Sequence, residues 1–579
     1  DDTVGNYGSY KLYSFKIFDG ETLIHDFVPC KTDEGVVTLF DAVDSPATLT
    51  TYGTFKPGDE VLDSDFAATV EPQPFDGEHP CEPHPAITLV GETTVLTEGT
   101  DYTLTWSNND RFGAATINVT GINAYAGKTG QISFRVVSPY GDGVVYYAKV
   151  GGDDAATCAD WANAGSLSAA MAKAAASDGN AVALDDGTFD LSGCEPLDSG
   201  SFFETERLLT IVSRGGDPEK CVVLGGGADK PARFLAASGS GLTLLGVTLT
   251  NFQAMATSTS GGAVLCNASV AMTLNVSNCV FSGNAAYYGG AIHGGADNRL
   301  AKGLMVDCSF VADEARRSGT DQTMGGALYN FAGQIVGCRF ERCKSTGHRG
   351  GAICGVPALI SNCVFVANHA QRADHRYSGA VAGGGSFTFY NCVFSNNTSN
   401  SGNMIRGGDG SGAVHKLYDC QLFGNCQICG YSSVEYPDYL YLYRCKVFQN
   451  TGICGATASE NCLYVGNKIT SNYHASWGKL YNCTFANNVG TAMSGLSECK
   501  NVLAFGNTVD FQQDSAKYTY CQYKTAKSQY NQDIVLTGVG CKQIADPKFA
   551  DADDLHPYGC GLKKRSPAVG AGDPSIWTV

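Results

Sequence analysis

The chain has 579 residues and a formal net charge of -18, with Gly at 71 positions and only 17% of residues charged. That balance excludes nucleic acid and anionic membranes as electrostatic partners, because both require a basic face. No apolar run reaches the roughly 18 residues of a transmembrane helix, and 43% hydrophobic content excludes global disorder. Twenty-four cysteines favour an oxidising compartment. The chain opens at Asp1 without Met or a charged-then-apolar leader, so a secretion signal is expected to be already removed or to lie upstream. The expected location is extracellular or cell-surface.

Residues 1–70 form the first expected segment. SYKLYSFKIFDGETLIHDFVPC, Ser9 to Cys30, predicts two strands around an Asp19-Gly20 hairpin turn, and a third short strand follows at Val36 to Phe40. Two or three strands leave open edges, so something else must complete them.

Residues 71–140 read as a small all-β module. Strands are expected at Ala86 to Val90, Tyr102 to Trp106, Ala115 to Thr120 and Gln131 to Val137, separated by Asn, Asp and Gly turns. The spacing fits an immunoglobulin-like sandwich. Ser138 to Gly143 serves as the linker.

Residues 141–579 predict a right-handed parallel β-helix, an all-β solenoid. SLSAAMAKAAA, Ser166 to Ala176, is the one good helix signal, and it is expected to close the exposed end of the stack. Beyond residue 240 one phrase recurs: NCVFSGN from Asn278, DCSFVAD from Asp307, GCRFERC from Gly337, NCVFVAN from Asn362 and NCVFSNN from Asn391. Weaker copies surround Cys420, Cys445, Cys462 and Cys483, with a last trace at Cys499 and Phe505. A second phrase, Gly-Gly-Ala plus an aliphatic residue, starts at Gly261, Gly289, Gly325 and Gly350, with looser forms at Gly379 and Gly412. In Cys279-Val280-Phe281 the first and third side chains share a face. Winding the chain then stacks Cys on Cys and Phe on Phe at the ~4.8 Å spacing of paired strands. The Asn ending each phrase is expected at a turn, where Asn tolerates the left-handed conformation. Gly-Gly lets the next corner pass tightly. A helical solenoid fails, because the repeats lack a 3.6-residue period and are rich in Gly and Asn.

These two phrases, GGA(I/L/V) and Fxx(N/D), resemble the repeats of polymorphic outer-membrane proteins and related pectin-lyase-like β-helix adhesins. The second motif spans Phe281 to Asn284, Phe310 to Asp313, Phe365 to Asn368, Phe394 to Asn397 and Phe485 to Asn488. SPAVGAGDP, Ser566 to Pro574, is similar to the closing phrase of many bacterial secreted β-helices. The sequence departs from the outer-membrane family in ending at Val579 without a barrel segment. Asp101 to Gly127 resembles bacterial immunoglobulin-like repeats, and the opening strands resemble the last strands of a laminin-G or concanavalin-like lectin domain.

β-Helix proteins include polysaccharide lyases and hydrolases, which need paired carboxylates or calcium-binding acidic clusters. Asp153-Asp154, Asp185-Asp186 and Asp553-Asp554 lie off the mid-stack coils, and Gly347-His348-Arg349-Gly350 only partly echoes a Gly-His-Gly motif. Asp313, Glu314, Arg316 and Arg317 read as a solvated mixed-charge loop, or else a glycan-binding ledge. His369, Asp374 and His375 match no strong zinc pattern, and Cys426 and Cys429 form a lone CxxC. The ladder cysteines are expected to be mostly buried thiols, with a few disulfides among Cys343, Cys354, Cys426 and Cys429. No catalytic, cofactor-binding or metal-binding residue is assigned. The functional expectation is a non-catalytic adhesive or structural rod, self-associating head-to-tail through its N-terminal strands, with a glycan or cell-surface ligand. A polysaccharide lyase or hydrolase and a glycan-binding module are the alternatives. Aromatic rows at Tyr287-Tyr288 and Tyr436 to Tyr443 motivate the last.

Overall fold

The computed structural model describes residues 65–548 except 71–72, 75–79, 110–112, 138–142, 256–259, 268, 270, 297–298, 317–322, 348, 372–379, 384, 401–402, 407–411, 429–438, 453–455, 469–475, 513–516 and 529. From residues 1–64 it describes three strands. The chain divides into two compact units, 1–139 and 140–579.

In the first unit, Phe15–Asp19, Thr22–Lys31 and Val37–Asp41 form an antiparallel sheet with the middle segment at its centre. Farther along, Tyr102–Ser107, Gly113–Gly121 and Thr129–Val137 pair antiparallel, and Gln73–Pro74 joins Thr129–Val137 in parallel. A two-stranded sheet of Phe66–Ala67 and Thr88–Leu89 accompanies them. Alternation along Tyr102–Ser107 sends Tyr102 and Leu104 inward, to a core with Phe66, Ile87, Ile117, Val119 and Phe134.

The second unit is a right-handed parallel β-helix. Its described strands pair in register into four parallel ladders of 17, 15, 7 and 6 strands. One coil shows the design. Thr273–Ser277 lies in the longest ladder, Val280–Ser282 in the second, Ala285–Ala286 in the shortest and Ile292–His293 in the remaining one.

Cys279, Cys308 and Cys338 stand in successive register, since Val280 pairs with Ser309 and Ser309 with Arg339. The register continues through Cys363, Cys392, Cys420, Cys445, Cys462 and Cys483. Beside them Phe281, Phe310, Phe340, Phe365 and Phe394 stack at 5.0, 4.8, 5.0 and 5.1 Å between ring centroids, with planes within 6°. The Gly-Gly corner is equally strict. Gly289 has φ +64°, and a Cβ on Gly290 would lie 2.0 Å from the Gly326 carbonyl oxygen in the next coil. One continuous core runs from Ala148 to Leu536.

At the N-terminal end, Ser166 caps the helix Leu167–Ala174 by accepting from the Ala169 N–H at 3.0 Å. Its buried stripe of Leu167, Ala170, Met171 and Ala174 joins the same core. The Asn180 amide donates to the Ala174 carbonyl at 3.1 Å and accepts the Val144 N–H at 3.1 Å, tying the helix to the first coil.

Two sequence expectations are corrected. The Asn closing each phrase is not the turn residue. The residue before it is left-handed (Gly283, Ala312, Ala367, Asn396), as is the residue opening the phrase (Asn278, Asp307, Asn362, Asn391). The closing Asn points into the core, where its hydrogen-bonding capacity is used coil to coil. The last Cys trace also belongs elsewhere. Cys483 is followed in register by Val502 and then Cys521, whereas Cys499 lies in the longest ladder beside Leu480. Cys499 precedes Val502 by three residues just as Leu480 precedes Cys483, so it occupies the inward position of the longest ladder rather than the Cys position.

Candidate functional site

The polar interior comes first, because it absorbs residues that would otherwise look functional. Asn284, Asp313, Cys343, Asn368, Asn397, Asn425, Asn450, Asn467, Asn488 and Asn507 form one inward column, all buried. Each Asn Oδ1 accepts from the preceding coil, as Asn397 accepts the Asn368 N–H and Nδ2 at 3.0 Å each. Each Nδ2 also donates to a carbonyl of that coil, as Asn397 does to Phe365 at 3.0 Å. Asp510 closes the run, taking the Asn507 amide at 2.7 Å and the N–H groups of Lys524 and Thr525 at 2.8 Å. Asp313 is thus removed from the mixed-charge loop expected of it. Burial pushes its carboxyl up to about 8.

The remaining candidates disperse. Asp153 caps its own turn at the Ala155 N–H (2.9 Å), and Asp154 bonds Ser166. Asp185 pairs with Arg214 at 3.3 Å, and that guanidinium lies 4.5 Å over Trp161. Glu314 faces outward, where Arg316 (3.2 Å) and Lys344 (3.5 Å) neutralise it. His369 is next in that outward column, bonded to Thr398 at 2.9 Å. Gly347 and Arg349 bond Thr323 at a coil corner. Cys343 and Cys426 are free thiols. Cys343 sits in the Asn column and Cys354 in a different ladder, so the expected disulfide is not formed between Cys343 and either Cys354 or Cys426. Arg317, His348, Asp374, His375, Cys429, Tyr436, Asp553-Asp554 and the Ser566 to Pro574 phrase lie outside the described residues.

What the coils bring together on the surface is an outward strip of the longest ladder. Tyr390, Tyr418 and Tyr443 are in register, with ring centroids 4.7 Å apart at each step and planes within 8°. Glu460, Tyr481 and Lys500 continue that column. The adjacent outward column runs Lys416, Tyr441, Ala458, Lys479, Glu498 and Lys517. The stacked tyrosines cover one another's faces and leave their edges toward solvent. Tyr390, 37% exposed, has Ser361 as its neighbour on the other side, so one ring face has a small residue beside it.

Charge along the strip alternates. The Tyr481 hydroxyl donates to Glu498 at 2.6 Å, and burial together with this bond pushes the phenol up to about 12. Lys479 approaches Glu498 at 4.0 Å. At the strip's corner Arg444 grips Asp419 with two bonds of 2.7 Å, holding that carboxyl below its usual range. Such a strip can hydrogen-bond hydroxyl-rich chains and receive an apolar ring face at Tyr390. Sequence reasoning found Tyr443 but missed Tyr390 and Tyr418. Their signal was a Tyr two residues before each ladder Cys: Tyr390 before Cys392, Tyr418 before Cys420, Tyr443 before Cys445.

The class defined by this register is the right-handed parallel β-helix. No protein-family model matches the sequence, and no curated protein matches it. Among solved structures it is similar to pectate lyase Pel9A, with 13% identity over 74% of this chain and 91% of that one, at a TM-score of 0.23. It is also similar to the alginate lyase AlyF-OU02 in complex with G6 (10% identity, 64% and 81% covered, TM-score 0.26). A third is the GH136 lacto-N-biosidase from Eubacterium ramulus (12%, 69% and 68%, 0.23). At such identities and scores the fold rests on the strand register itself. Among the described residues no helix is long and apolar enough to cross a membrane.

Proposed function

We propose that the chain is an extracellular, non-catalytic adhesive protein whose β-helix, which follows an immunoglobulin-like module in the sequence, binds a linear polysaccharide along the tyrosine strip. The observation that carries this reading is the in-register row Tyr390–Tyr418–Tyr443, with Lys416 and Tyr441 beside it and Lys479 and Glu498 farther along the same ladder. A repeating array of hydroxyls and charges suits a repeating polymer better than it suits a small molecule. A polysaccharide-cleaving enzyme is the second reading, favoured by the Tyr481–Glu498 contact on the same face.

Affinity electrophoresis against pectin, alginate and glycosaminoglycans, with parallel assays for unsaturated and reducing ends, separates the two. Retardation without product, weakened in Tyr390→Ala, supports adhesion. Turnover abolished by Glu498→Gln would establish the enzyme instead.

Self-association belongs to the same proposal. Among the described residues Phe15–Asp19 and Val37–Asp41 are the two edges of their sheet, and each is a template for strand addition from a second copy. Head-to-tail filaments by electron microscopy are the expected result, and a strict monomer at high concentration would refute it.

A further inference from the structure

Three sulfurs converge near the C-terminal end of the described coil stack. Cys499 comes from the longest ladder and Cys521 from the second ladder one coil on, and their Sγ atoms are 3.4 Å apart. Both side chains are fully buried. Cys541 stands directly after Cys521 in register, touches its thiol and is only partly buried.

The geometry differs from that of the main Cys column. There, consecutive cysteines occupy the same position of parallel, in-register strands, so their Cα–Cβ bonds point the same way. A disulfide needs its Cβ atoms about 3.8 Å apart and a dihedral near ±90°. Parallel bonds on strands ~4.8 Å apart approach that poorly. Cys499 and Cys521 reach the core from two different faces of the coil, so their sulfurs meet.

We infer that Cys499 and Cys521 form an intercoil disulfide, loaded by thiol–disulfide exchange through the partly exposed Cys541. The oxidant is an external disulfide, R–S–S–R′. The Cys541 thiolate attacks one of its sulfurs, and R′–S⁻ leaves. Cys521 then attacks the R sulfur of the mixed disulfide, releasing Cys541 as a thiolate and taking over the R–S group. Cys499 finally attacks the Cys521 sulfur, expelling R–S⁻ and joining Cys499 to Cys521. Net, two protein thiols lose two electrons and two protons, and R–S–S–R′ becomes R–SH and R′–SH. The contact with Cys499 and then burial raise the Cys521 thiol, and the contact with Cys521 and then burial raise that of Cys541, so exchange accelerates with pH.

The test is oxidation of the reduced full chain with oxidised glutathione at alkaline pH, followed by an acid quench and alkylation in denaturant. Tryptic fragments are then mapped without reduction. Leu480–Lys500 should be joined to Tyr518–Lys524, with fragmentation placing the bond at Cys499 rather than Cys483, and two titratable thiols should disappear. Cys483→Ser should keep the link. Cys541→Ser should reach the same product about tenfold more slowly, because the accessible entry thiol is gone. A bond at Cys483, an end product joining Cys521 to Cys541, an undiminished rate in Cys541→Ser, or no loss of thiols in the wild-type chain would each overturn the assignment. The wild-type map is decisive even if a variant folds poorly.

Discussion

Asn284 directs both its backbone N–H (2.9 Å) and its side-chain amide (3.0 Å) at the same carboxyl oxygen of Asp313. The other oxygen, Oδ2, is buried without a partner. Where that position is Asn, its Nδ2 donates to a backbone carbonyl one coil back, as Asn368 does to Phe340 at 2.9 Å. By register the matching carbonyl for Asp313 is that of Phe281. A protonated Asp313 can supply the missing donor, and an ionised one cannot.

Stability should therefore depend on pH through Asp313. Its folded-state value of about 8 is raised above the unfolded value near 3.9, so the folded chain holds the proton more tightly. The contribution is complete below about pH 4 and is lost as pH rises toward 8. Asp313→Asn should raise stability at pH 7.5 by about 1–3 kcal/mol and flatten the profile between pH 4 and 8. Urea unfolding at a series of pH values measures both effects. An unchanged slope with pH would show that Asp313 is not the group responsible.

The Asn column should also be costly to interrupt. Removing the Asn397 side chain leaves the Asn368 N–H and amide and the Phe365 carbonyl without their partner, all in the core. Each such orphan costs roughly 1–3 kcal/mol, so Asn397→Ala should lose about 3 kcal/mol or more. Asn391, in the exposed left-handed corner, is the control. Asn391→Gly keeps the backbone conformation and should change stability by less than about 1 kcal/mol.

The column marks where the sequence was legible and where it misled. Cys279-Val280-Phe281 announces its face by alternation, and the strands stack as that pattern requires. The closing Asn was misjudged because Asn is common in turns and a buried amide is normally expensive. One internal signal pointed the other way. The residue before it varies freely among Gly283, Ala312, Arg342, Gly424 and Gln449, as a left-handed corner with an exposed side chain allows, whereas the closing position is Asn in most coils. A recurring side chain beside a variable turn residue implies that the side chain is used. The outward strip was less visible, because Tyr390, Tyr418 and Tyr443 are separated by loops of unequal length and align only once the coils are wound.

His415 should give acid sensitivity. It is fully buried between Phe387 and Leu440 in register, and neither ring nitrogen has a hydrogen-bond partner among the described residues. Burial, reinforced by the Arg406 charge, lowers it to about 3. The unfolded chain takes up this proton near pH 6.5, whereas the folded chain resists it, so stability is full above about 6.5 and falls toward 3. His415→Leu fits the same inward column and removes two unpaired polar atoms. Thermal unfolding should show it more stable by about 1–3 kcal/mol at pH 7, with a larger advantage at pH 5. Equal gains at both values would exclude the titration.

The Cys column should be chemically silent for the same reason that it packs well. Every cysteine from Cys279 to Cys483 in the column is buried; burial raises thiols such as Cys279 and Cys462, whereas hydrogen bonds from neighbouring thiols lower others, such as Cys308 and Cys363. Acidity therefore differs from coil to coil, and what the column shares is the absence of access to reagent. Of the described cysteines, Cys194, Cys426 and Cys541 are partly exposed. In the fully reduced protein, maleimide at pH 7 should label Cys194 first and then, more slowly because their thiols are pushed up, Cys426 and Cys541, alongside any reactive cysteine outside the described residues. Cys279 through Cys483 should be modified only at the rate of global unfolding. Because the coils share one core, that rate should be common to the whole column and should rise together in Asn397→Ala. Mass spectrometry after timed labelling reads each position, and early modification of Cys363 or Cys392 alone would mean that the stack opens locally in the middle.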